Sequence, residues 1–156
     1  GISEINQQIL VSVAKTVCEF CDVDQYQATL IFVSDEDIRS LNKEFRGLDE
    51  VTDVLSFSNF HHGQFYGSNP LRKNNPTDEL FVLPEEFSYQ IGEVLISRQQ
   101  AERQSSARTI PLMEELKLLV AHGFLHLLGY DHVEEEEEQK MKEMERRVID
   151  SVNKDA

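Results

Sequence analysis

Between Leu112 and Leu128 the chain reads LMEELKLLVAHGFLHLL. Apolar residues fall on nearly every side of a helix drawn through it, which predicts a central, buried helix. Any fold open to this chain must wrap its other elements around that segment. Thr109 and Pro111 introduce it and Gly129 stops it.

The flanking patterns supply the wrapping. Ile2, Ile5, Ile9, Leu10, Val13 and Val17 recur at helical spacing and predict a first amphipathic helix. Ala28 to Val33 (ATLIFV) is rich in β-branched residues and predicts a buried strand. Ser34, with Asp37 three residues on, opens a second helix whose apolar face is Ile38, Leu41 and Phe45, and Gly47 ends it. Short strands are predicted at Val54 to Phe57 and at Gly92 to Ser97 (GEVLIS), with Ser97 capping a polar helix that runs to about Ala107. A last helix is expected from about Glu134 to Ser151, with Met141, Met144 and Val148 facing inward. Residues 58 to 91 hold three of the four prolines and read as a long loop, with a strand near Leu80 to Leu83. Helices and strands alternate without regular βαβ units. The expected class is α+β over residues 1–156 as one domain, a small mixed β-sheet beside a central buried metal-binding helix.

The metal enters through three histidines. His122 and His126 lie four apart, so they project from one face of that helix, one turn apart. Gly129 lets the helix end sharply, so that the chain folds back and His132 can reach the same ion. The spacing H-x3-H-x2-G-x2-H is zincin-like and matches the metzincin pattern except at one position. Metzincins carry a glutamate general base after the first histidine, and here that residue is Gly123. Three neutral imidazoles with an open fourth position suit one catalytic-type Zn2+ ion per chain, although Ni2+ and Cu2+ also favour imidazole. Asp131 is a candidate to orient a ligand imidazole. His61 and His62 read as surface residues of the loop.

Without the glutamate, peptide hydrolysis loses its base. Phosphodiester hydrolysis needs less of one, but it needs cations for the phosphates. Arg46, at the end of the second helix, is one candidate cation, in a place where a helix C-terminus also favours positive charge. Arg98, Arg103 and Arg108 fall within eleven residues that hold one acid, Glu102, and Lys117 lies on the histidine helix itself. Cys18 and Cys21 are too few for a disulfide framework, and their place late in the first helix predicts ordinary thiols.

The run HGFLHLLGYDH resembles the signature of the YbeY endoribonucleases. A second signature, LNKEFRGLDEVTDVLSF at Leu41 to Phe57, lies upstream, and GEVLIS matches a third that usually has Asp in place of Glu93. The resemblance implies an α+β fold and metal-dependent, single-strand-specific RNA cleavage. It implies a role in ribosomal RNA maturation, notably at the 3′ end of the small-subunit RNA, and in ribosome quality control. It places the metal ligands on His122, His126 and His132, and the functionally important arginine on Arg46. Val51 and Ser58 stand where the family usually has proline, and the 58–91 loop is longer than usual, which bears on substrate contacts.

The chain has 15 basic and 29 acidic residues, a formal net charge of −14. That charge argues against a protein that coats nucleic acid through a basic surface, and no DNA partner is expected. It is compatible with single-stranded RNA held in a narrow cleft within a ribosomal or small-subunit assembly context. No apolar run approaches the roughly 20 residues a bilayer span needs, so no membrane partner is expected and the location expected is cytoplasmic. Two other readings share the histidines: a metallohydrolase of another substrate class, and a non-catalytic ribosome-assembly factor with a structural metal.

Overall fold

The run Ile91–Ser97 is nearly continuous in apolar residues, the pattern of a strand covered on both faces. The computed structural model, which describes residues 5–23, 27–59, 90–130 and 134–155, makes it the middle of the sheet. Among these residues the order is α1 (Gln7–Phe20), β1 (Gln27–Val33), α2 (Asp35–Arg46), β2 (Val54–Ser58), β3 (Gln90–Ser97), α3 (Arg98–Arg108), α4 (Leu112–Leu127) and α5 (Glu135–Asp155). The sheet order is β1-β3-β2. β1 runs parallel to β3, with Leu30 opposite Val94, and β2 runs antiparallel to it, with Leu55 opposite Leu95. The sheet is therefore small and mixed, and the architecture is α+β.

Alternation along the strands sorts side chains to two cores. Val54, Val94 and Ile96 join the larger core with α1, α4 and α5, through Leu10, Val13, Val17, Leu116, Val120, Phe124, Met141 and Val148. Leu55 and Leu95 point the other way and pack on Ile38 of α2. α4 lies in the large core, with twelve of its sixteen residues buried. That is why its sequence is apolar almost all round.

The caps explain several boundaries. Ser34 and Ser97 accept from the amides of Asp37 and Gln100 and open α2 and α3 as predicted. Gly47 ends α2 in the left-handed region. α1 begins at Gln7, later than the apolar spacing alone implied, because the Asn6 side chain accepts from the Ile9 amide and caps it. β2 and β3 extend the flanking pairs inward to Ser58 and Gln90, so the predicted 58–91 loop loses residues at both ends. The predicted strand at Leu80 to Leu83 lies outside the described residues. α5 runs to Asp155, past the predicted Ser151. None of the described helices is long and apolar enough to cross a membrane.

Candidate active site

α4 sits unusually close to the sheet, and Gly123 makes that possible. A Cβ built there would meet Val94 Cγ1 at 2.6 Å, Val54 Cγ2 at 3.2 Å and Ser56 Oγ at 3.3 Å. The close approach lets two sheet hydroxyls reach helix carbonyls. Ser56 Oγ donates to Gly123 O at 2.8 Å, and Ser58 Oγ donates to Leu127 O at 3.1 Å. Two residues of strand and four of helix cover nearly the same length, about 6–7 Å, so the two pairings repeat in step. The side of α4 that holds position 123 is thus sheet-facing. A glutamate there would enter the core between Val54 and Val94, far from the role it has in metzincins.

The helix ends in a paired turn. Tyr130 N donates to Leu125 O at 3.0 Å and Gly129 N to His126 O at 3.0 Å, with Gly129 at φ 98°. This is a Schellman arrangement, and its left-handed residue favours glycine. Tyr130 is hydrogen-bonded to Cys21 at the end of α1. Burial pushes the Cys21 thiol above its ordinary value, against that hydrogen bond, while Cys18 is fully buried in the core. Neither cysteine forms a disulfide, as the sequence predicts. Asp131, His132, His61 and His62 lie outside the described residues.

Away from the sheet, His122 and His126 meet. Their Nε2 atoms are 3.0 Å apart and their rings cross at 79°. His126 is buried, and His122 lies one turn nearer the surface. His122 Nδ1 is 2.5 Å from Glu145 Oε1 on α5. An ionised Glu145 can only accept, so this contact favours the tautomer in which Nδ1–H donates to it and the Nε2 lone pair of His122 faces His126.

His122 lines a cleft of about 520 Å³ together with Asn42, Arg46, Asp53, Arg108, Glu115, Lys142 and Glu145. Arg46 Nη1 donates to Asn42 Oδ1 at 3.3 Å, and buried Asn42 in turn donates to Glu50 O at 2.9 Å. Phe45 and Phe57 meet edge to face, 5.2 Å between centroids, and fix this end of α2 on the sheet. Arg46, the cation expected from the sequence, therefore shares one cleft with His122, and His126 lies buried behind it.

The other arginines separate. Arg108 pairs with Glu115 at 3.1 Å at the cleft wall, and Gln104 donates to the same buried carboxylate. Arg103 instead pairs with Asp35 at 2.9 Å, and Arg98 with Glu102 at 2.9 Å. Lys117 turns to Glu114 and to Asn153 of α5, away from the cleft lining. The local basic cluster contributes one cation to the cleft.

Glu145, Glu115 and Asn42 escaped the sequence reading. Glu145 falls on the inward stripe Met141, Val148 and Val152, and a carboxylate on an apolar stripe is the signal that marks it. Glu115 carries the same signal on the buried helix.

A family model described as Endoribonuclease YbeY matches residues 2–153. The Endoribonuclease YbeY of Thermoanaerobacter sp. strain X514 is 39% identical over 154 residues, spanning 97% of this chain and 91% of that protein. That of Halalkalibacterium halodurans is 40% identical over 116 residues, spanning 74% of this chain and 65% of that protein, just under two thirds of its length. The solution structure of TM1509 from Thermotoga maritima superposes with a TM-score of 0.55 at 27% identity, covering 94% of this chain and 83% of that one. With the family model matched over residues 2–153, and relatives near 40% identity, the chain belongs to the YbeY endoribonuclease family.

Proposed function

We propose that this chain is a zinc-dependent endoribonuclease that cuts single-stranded RNA. Its substrate is ribosomal RNA, matured at the 3′ end of the small-subunit RNA, and it serves ribosome quality control in the cytoplasm. The observation that carries the reading is the convergence of the His122 and His126 Nε2 atoms, 3.0 Å apart, beside a cleft that Arg46 also lines. Tetrahedral zinc with Zn–N near 2.0–2.1 Å puts two ligand nitrogens about 3.4 Å apart, so the pair needs only a small adjustment to share an ion. Imidazole nitrogens are the donor type zinc takes, and His132 supplies the third.

When bound, zinc supplies a Lewis acid and lowers the pKa of a coordinated water to about 7. The chain's own residues do the rest. Arg46 holds a phosphate oxygen and spreads the charge that grows there during cleavage. Asn42 fixes the Arg46 side chain through the 3.3 Å hydrogen bond, and Glu50 O fixes Asn42. Arg108, braced by Glu115, adds a second cation on the same wall. Gly123 stands where metzincins carry their general base, which favours a phosphodiester over a peptide bond.

The net charge of −14 sets the binding mode. Most of the surface repels RNA, so binding to bulk RNA is weak and ribosomal components present the substrate. The test is cleavage of single-stranded RNA by purified protein. His126→Ala and chelation are each expected to abolish it while the fold persists. Cleavage that survives both would sink the metal mechanism.

A further inference from the structure

We infer that Glu145 on α5 is the positioning residue that makes His122 a metal donor. This rests on the zinc reading above. Three observations meet here. Glu145 Oε1 lies 2.5 Å from His122 Nδ1, with the side chains 14% and 26% exposed. Glu145 occupies the inward stripe of α5, between buried Met141 and Val148, where an apolar residue would pack without desolvating a charge. The far nitrogen of the same ring faces His126 Nε2 at 3.0 Å.

The chemistry follows from the ring. A neutral imidazole carries one proton, and the nitrogen without it is the donor. With the proton held on Nδ1 by the carboxylate, the lone pair stays on Nε2 and points to the shared position. The hydrogen bond also stops the ring from rotating, and the negative charge partly offsets a bound dication. Tying α5 to α4 does not itself require Glu145, since Lys117 already bonds Asn153 across the same pair of helices.

The experiment uses the full chain and three variants, Glu145→Ala, Glu145→Gln and Glu145→Leu. Leu suits the apolar stripe and keeps the fold if Ala does not. Zn2+ alone is titrated against a chromophoric chelator, and the histidine tautomers of the metal-free protein are read by 15N NMR. Wild type is expected to bind one Zn2+ and to show His122 with its proton on Nδ1. Ala and Leu are expected to weaken zinc binding by about 10- to 100-fold and to release the tautomer. Gln, which still accepts through its amide oxygen, is expected to keep the tautomer and most of the affinity. If wild type binds zinc and the Ala and Leu variants match it in affinity and tautomer, the positioning role is wrong. If Gln is as weak as Ala, the hydrogen bond is not its basis. If wild type binds no zinc, the metal reading falls and this inference with it.

Discussion

The two faces of α4 bury polar groups in opposite ways. Toward the sheet, the helix offers only backbone: Gly123 O and Leu127 O accept from Ser56 and Ser58, and even a methyl at 123 would strike Val94. Toward α5 and the cleft, it offers side chains: His122, His126 and Glu115, each with a polar partner. The first face fixes where the helix lies, and the second holds the candidate site. The difference teaches that Gly123 is a packing requirement before it is a missing base. The separation can be broken by changing each face and reading stability against RNA cleavage.

The largest effect is expected from Gly123→Glu. A carboxylate pressed between Val54 and Val94, with no partner, combines overpacking with a buried charge, so a loss beyond about 4 kcal/mol and little folded protein are expected. Urea unfolding reads it, with Gly123→Ala as the milder member at about 1–3 kcal/mol. A Gly123→Glu protein of wild-type stability would end the packing account. A smaller effect is expected from Ser56→Ala, about 0.5–1.5 kcal/mol, with RNA cleavage per folded molecule unchanged. Lost cleavage at unchanged stability would put this hydroxyl on the chemical side instead.

The smallest effect concerns a charged cluster remote from both faces. Hydrogen bonds from Arg103 and then Ser97 hold the half-buried Asp35 carboxyl below its ordinary 3.8. A folded-state value below the unfolded one means the contribution is present above about pH 3.8 and is lost as pH falls through the folded-state value. The gap in thermal stability between wild type and Asp35→Asn should therefore close as pH falls below that point. A gap that stays constant through the window would remove the linkage.

Much of this was legible from residue order. The all-round apolarity of α4, the nearly continuous apolar run of β3, the serines at 34 and 97 and the glycines at 47 and 129 each act through local geometry, so their consequences could be read directly. The i, i+4 histidines belong to the same class. Arg98, Arg103 and Arg108 were partly legible, since residues five apart on a helix turn by about 140° each time and cannot share a face. Which one reached the cleft depended on where Glu115 and Asp35 came to rest. Glu145 was hidden for a similar reason. Its partner lies 23 positions away, and only the antiparallel return of α5 along α4 brings the two together. Asn42 was hidden because burial of an amide next to Arg46 follows from the turn through Glu50.

The strand order has a consequence for how the chain acquires its shape. Of the three described strands, the one made last, β3, is the one both others pair with, and Gln27 must find Gln90 across the whole intervening sequence. While the chain is being synthesised, β1 and β2 exist before their common neighbour does. Contacts of such separation are slow to form, because loop closure must precede any gain from pairing. Completion of β3 is therefore the event that commits this sheet. The helix that carries the histidines docks on it afterwards, so folding errors would be concentrated before α4 emerges.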